Sequence, residues 1–184
     1  YLSMSVEAES KGLKGFGNWF FIQFREEQDH ARILMNYLLA RGGQVLLAPI
    51  AEVRTSWGSQ LEAFEDTLAH EKKVTAMINN LYDMAVTEKD HATASMLKWF
   101  IDEQVEEEES ATTIIDSLKL VSGDKMGVFM LDKELAEFRL TDSAAHIHDW
   151  VRGMNPWPMA WFTTSGGKKV KVVECRAVAS QGEA

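Results

Sequence analysis

The 184-residue chain has a single cysteine, Cys175, so it can form no internal disulfide and suits a reducing compartment. It contains no run of about 18 apolar residues, which argues against a membrane-spanning helix. Its opening, "YLSMSVEAES", lacks a basic region followed by an apolar stretch. It therefore does not read as a signal peptide, and a cytoplasmic location is expected. It also lacks an initiator Met, so the expectation is a chain clipped at its N-terminus. Positive charge is scarce, with 19 Lys and Arg against 28 Asp and Glu, for a net charge of -9. That balance argues against broad phosphate-backbone binding and is compatible with cations. What remains is ordinary for a globular protein: 46% apolar and 26% charged residues, enough for one domain with a sizeable core or one domain plus a fragment.

The charge is unevenly placed. Residues 137–184 hold five acids (Glu137, Asp142, Asp149, Glu174, Glu183) and six bases (Arg139, Arg152, Lys168, Lys169, Lys171, Arg176). The first 136 residues carry the other 23 acids and 13 bases. Trp150, Trp157 and Trp161, half of the six tryptophans, also lie in the tail, as do Pro156 and Pro158. The expected division is therefore 1–136 and 137–184.

Residues 16–41 read as a helix, with Phe16, Phe20, Phe24, Glu27, Ala31, Leu34 and Leu38 at the helical period and Gly42-Gly43 as its stop. Residues 44–58 contain Pro49 and show no helical period, so they predict a long extended connection between two parallel helices. A second helix is expected from about Ser59 to Val86, with the stripe Leu61, Phe64, Leu68, Glu71, Thr75, Ile78, Tyr82 and Ala85. A third is expected from about Glu88 to Lys119, with Leu97, Phe100, Gln104, Glu107, Ala111, Ile114 and Leu118. The short link "TEKD" makes these two antiparallel neighbours. Residues 1–10 read as the end of an earlier helix, and 124–136 as a short terminal one. The fold class is all-α: a four-helix bundle with a long crossover, a truncated first helix and a short fifth. In the tail, "HIHDWVRGM" suggests a short helix and "AWFTTSGGKKVKVVECRAV" two strands around a Gly-Gly turn.

Each long helix carries a polar interruption near its midpoint. Glu27, with His30 one turn on, Glu71, and Gln104 with Glu107 fall on stripes that face the bundle centre. Burying carboxylates together costs about several kcal/mol each, and like charges raise one another's pKa. No Lys or Arg lies on these stripes to neutralise them, so bound divalent cations would supply the missing charge. Carboxylates with one imidazole suit iron or manganese, and zinc also accepts them. Glu26, Glu103 and Glu106 lie just off the seam, and "EQVEEEE" as a run reads as a solvated face. Tyr1 reads equally as a core tyrosine or as a phenol beside a metal, whereas His70 and His91 read as surface residues.

At this point "YLSMS", "REEQDHA", "HEKKV", "DEQVEEEES" and "FMLDKELA", in that order, resemble the bacterial non-haem ferritins over residues 1–136. The resemblance implies a hollow homo-oligomeric cage that oxidises Fe(II) with oxygen or peroxide at a di-iron centre and stores ferric mineral. It implies Glu27 as the carboxylate bridging two irons, His30 as a ligand of one and Glu71 as a ligand of the other. Gln104 would orient a bound oxygen species or water. Glu107 would link the pair to an accessory third position completed by Glu26, Glu103 and Glu106, and Tyr1 would be an electron donor. Gln104-x-x-Glu107 in place of a second Glu-x-x-His points away from bacterioferritins and rubrerythrins. The family's first-helix glutamate would precede Tyr1, so one ligand is expected to be missing from this sequence. Residues 139–178, with "RGMNPWPMAW" the specific part, resemble the C-terminal, barrel-forming region of methionyl-tRNA formyltransferase. That implies a fusion of two gene pieces, with Arg152, Lys168, Lys169 and Lys171 as tRNA contacts. Two alternatives stand beside iron storage: a formyltransferase-related chain with a tRNA-contacting tail, and an inert helical bundle.

Overall fold

Side-chain caps start the last three helices, at Ser59, Asp90 and Asp124. In a computed structural model that describes residues 1–137, 161–163 and 169–171, the helices are α1 Leu2–Ser10, α2 Lys14–Ala40, α3 Gln60–Thr87, α4 His91–Leu120 and α5 Lys125–Ala136. Gly12 and Gly42, both at φ 79°, turn the chain out of α1 and α2 through a backbone conformation that side chains disfavour. Ser59 caps α3 by accepting from the Glu62 N–H. The third long helix starts later than expected, at His91 rather than Glu88. Lys89 adopts φ 58°, and Asp90 accepts from the Thr93 N–H at 3.1 Å, so the turn takes the residues given above to the helix.

Side-chain pairs fix how the helices run. Gln23 meets Glu107, His30 meets Phe100 and Tyr37 meets Thr93, so α2 and α4 are antiparallel. Phe16 and Phe20 of the first turns of α2 meet Phe64 of the first turns of α3, and Ile33 and Leu34 further along α2 join the cluster of Ile78 further along α3, so these two helices run parallel. The crossover 43–59 that parallel helices require is pinned at its far end. There the Trp57 indole donates to Asp66 at 2.8 Å, Lys11 donates to the Trp57 carbonyl at 2.8 Å and the Arg54 guanidinium lies over the Trp57 ring.

Two apolar clusters fill the seam. One is built on Phe16, Trp19, Phe20, Phe64, Ile114, Ile115 and Leu118, the other on Ile78, Ala85, Ala94, Leu97 and Phe100. The α4 stripe is buried as expected. On α2 the expected Phe16, Phe20 and His30 are buried, Trp19 and Gln23 join them, and Ala31 and Leu38 of the expected stripe are exposed.

The short α5 seats on the start of α2. No side chain of the α2 cap residue, Leu13, holds the first turn. Asp132 does so instead, accepting from the Gly15 N–H at 2.8 Å and the Phe16 N–H at 3.1 Å. A Cβ at position 15 would lie 1.6 Å from the Asp132 carbonyl oxygen, so only glycine permits this approach.

The chain divides into two units, 1–139 and 140–184. In the second, strands β1 Trp161–Thr163 and β2 Lys169–Lys171 pair antiparallel, with Phe162 opposite Val170. The expected helix over 146–154 and the Gly-Gly turn lie outside the described residues. Among the described residues no helix is long and apolar enough to cross a membrane.

Candidate metal centre

The midpoints of α2, α3 and α4 bring the polar interruptions together. Glu71 on α3 is fully buried, and Gln104 and Glu107 on α4 and His30 on α2 are buried around it. Glu27 is half-buried, with its Oε2 3.5 Å from His30 Nδ1. The Tyr1 phenol donates to Glu71 Oε1. Gln104 Nε2 donates to Glu71 Oε2 and to the Glu71 carbonyl, each at 3.2 Å. Gln23 Nε2 donates to Glu107 Oε2 at 2.8 Å. The side chains that meet Glu71 and Glu107 here are a phenol and two amides, all neutral.

A second grouping lies against the first. Glu26, His30 and Glu103 each offer one ligand atom within 4.8 Å of the others. The off-seam trio therefore separates. Glu103 is buried rather than solvated, Glu26 is half-buried and Glu106 is exposed. The charge run hides this because Glu103 stands one residue before Gln104, at the margin of the buried face. His30 is shared between the two groupings.

The electrostatics match a site short of positive charge. Burial first, then the charges of Glu26, Glu71, Glu27 and Glu103, push the Glu107 carboxyl up to about 9. Burial and the adjoining Glu71 carboxylate drive the Tyr1 phenol well above its ordinary range. Burial pulls the His30 imidazole down, but the hydrogen bond and charge of Glu27, with Glu26 and Glu103, outweigh it and raise the ring above its ordinary value. Oxygen-rich donors with one imidazole fit a ferrous or ferric ion, whose charge would relieve the repulsion that raises Glu107.

Sequence periodicity overlooked three participants. Gln23 lies one turn before Glu27, but its polarity hid it among the α2 aromatics. Thr75, on the expected stripe as a core residue, donates to Glu108 Oε1 at 2.6 Å and receives the Gln104 amide at 3.4 Å. His70 is exposed as expected, yet it sets its ring edge-on to Tyr1, with centroids 6.4 Å apart.

The ferritin-like domain family matches residues 1–121, and the formyl transferase C-terminal domain family matches residues 130–184. A bacterial non-heme ferritin of Bacteroides fragilis is 42% identical over 137 residues, covering 74% of this chain and 85% of that protein. One from Staphylococcus saprophyticus is 40% identical over 136 residues, covering 74% and 81%. The crystal structure of an open pore ferritin from the hyperthermophilic archaeon Archaeoglobus fulgidus superposes with a TM-score of 0.74 at 45% identity, covering 76% of this chain and 85% of that one.

Proposed function

The chain belongs to the ferritin family, and from that premise we propose that it stores and detoxifies iron by oxidising Fe(II) at the carboxylate seam. The ferric product is kept as mineral in a homo-oligomeric cage in the cytoplasm. The observation that carries this reading is the group of buried carboxylates met by neutral donors, with Glu107 held up to about 9 by burial and by other carboxylates. Such a group is unfavourable until a cation enters it.

In this reading Glu27 bridges two iron positions, His30 serves one and Glu71 the other. Glu107 is shared with an accessory position formed with Glu26, Glu103 and Glu106. Binding of Fe(II) displaces the proton from Glu107, so uptake releases acid. Two ferrous ions give one electron each to dioxygen, which with two protons leaves as hydrogen peroxide. The Gln104 amide, already donating to Glu71, orients water or the oxygen species. Where only one ferrous ion is bound, Tyr1 would supply the second electron to dioxygen, its phenol proton passing to Glu71 Oε1, to which it is hydrogen-bonded. The chain is taken as two parts, a ferritin-like 1–136 and a C-terminal 137–184, and iron handling draws on the first alone.

Aerobic oxidation of Fe(II) by the metal-free chain, followed by ferric absorbance, tests this. The wild-type chain should oxidise iron far faster than buffer, and His30→Ala and Glu107→Ala should each lose about 10-fold or more. A wild-type rate equal to buffer sinks the proposal. An inert bundle would instead keep its metal binding unchanged in Glu27→Gln, Glu71→Gln and Glu107→Gln.

A further inference from the structure

Gln23 has no role in the set just described, yet its burial needs explaining. It sits on α2 among Phe16, Trp19 and Phe20 and is 4% exposed. A buried amide at such a position is costly unless its polar atoms are used, whereas an apolar residue would extend the aromatic face without penalty. Its Nε2 spans the bundle to Glu107 Oε2 at 2.8 Å, joining residues 84 apart in sequence.

The two carboxylates at the centre of the seam are held differently. Glu71 is engaged at both oxygens, Oε1 by Tyr1 and Oε2 by Gln104. Glu107 is engaged by Gln23 at Oε2. We infer that Gln23 is a positioning residue for Glu107: its neutral N–H fixes Oε2 and would leave Oε1 to bind iron. Neutrality is the point of the choice. A Lys or Arg would hold the same oxygen but would also neutralise the carboxylate and repel the incoming cation. An amide orients the ligand and leaves its charge to the metal. Outer partners of this kind typically change metal affinity or activity by about 10–100-fold when removed.

The inference rests on the iron-oxidising reading, and its test separates the two. Full-length wild type, Gln23→Met, Gln23→His and Glu107→Gln are titrated with Co(II) without oxygen, read by visible absorption, beside the aerobic Fe(II) assay. Met approximates the shape of Gln and cannot donate; a neutral His ring N–H can. Gln23→Met should weaken by about 10-fold the Co(II) equivalent that Glu107→Gln removes, while Gln23→His stays near wild type. A packing role predicts the reverse order, because Met fills the space better. Circular dichroism monitors folding, and Gln23→Asn, one methylene too short to reach Oε2, gives a second loss of the donor. Gln23→Met matching wild type, or Gln23→His no better than Gln23→Met, overturns the inference. If wild type oxidises iron and the variants coincide with it, this inference alone falls. If wild type neither binds Co(II) nor oxidises iron, the underlying function falls with it.

Discussion

Towards the start of α2, the seam holds Phe16, Trp19, Phe20 and Phe64, with ring centroids 4.7 to 6.0 Å apart. A few turns further along, α2 and α3 bring Glu27, His30 and Glu71 to Gln104 and Glu107 of α4. Both stretches are built by the same periodicity on the same faces. Burying each aromatic contributes about 1.5–3 kcal/mol, whereas burying each unneutralised carboxylate costs several. Stability and chemistry are therefore separated lengthwise along one seam. The aromatic stretch stabilises the fold, and the carboxylate stretch keeps a charge deficit that a cation can fill.

The sharpest test of that division is to hollow out the aromatic end. Phe64 is fully buried, and its ring contacts Phe16, Trp19 and Phe20. Phe64→Ala should destabilise the chain by about 3–5 kcal/mol in urea denaturation. An unchanged midpoint would mean that the rings are not the anchor and that the comparison is wrong.

A smaller effect is expected where α5 joins the aromatic end. Asp132→Ala leaves the Gly15 and Phe16 N–H groups without their acceptor and should cost about 1–3 kcal/mol. Hydrogen exchange should show faster exchange across 125–136 and at residues 15 and 16, with protection retained in the middle of α3 and α4. Loss of protection spreading to Glu71 and Gln104 would show the two stretches to be one cooperative unit rather than two.

Much of this arrangement was legible in the residues. On α4 every expected inward position, from Leu97 through Gln104 and Glu107 to Leu118, is buried, because a long helix with a regular stripe has little choice of face. On α2 the expected face is right at Phe16, Phe20 and His30 and astray elsewhere. The stripe runs on to Ala31 and Leu38, which are exposed, while packing turns Trp19 and Gln23 inward. A polar residue is discounted by any hydrophobic pattern, so Gln23 was invisible until its partner on α4 was known. Asp132 was hidden for a similar reason: its role depends on an approach to Gly15 from 117 residues away, which no local signal encodes. Glu103 was misplaced by its company in a run of acids, since a run shows its average character and not the face of each member. The tail was legible as a family resemblance through "RGMNPWPMAW", and its paired strands lie within the stretch read as two strands.

The finest probe of the contrast is pH, because the rings of Phe16, Trp19, Phe20 and Phe64 do not titrate and Glu107 does. The metal-free fold keeps Glu107 protonated up to about 9, whereas the unfolded chain releases that proton near the ordinary 4.5. Between those values the folded state binds more protons than the unfolded one, so stability must fall as pH rises. The contribution is fully present below about 4.5 and is gone above about 9, with a slope of at most about 1.4 kcal/mol per pH unit from this group. Glu107→Gln cannot ionise, so its urea midpoint should decline less steeply across the window. The same substitution would leave Phe64→Ala as damaging as before, since the two sites stabilise through different physics. Saturating Co(II) should reverse the wild-type trend, because cation binding displaces the proton and strengthens as pH rises. A metal-free wild-type chain whose stability is flat over this range would mean that the buried carboxylates carry no such strain, and the contrast between the two stretches of the seam would lose its physical basis.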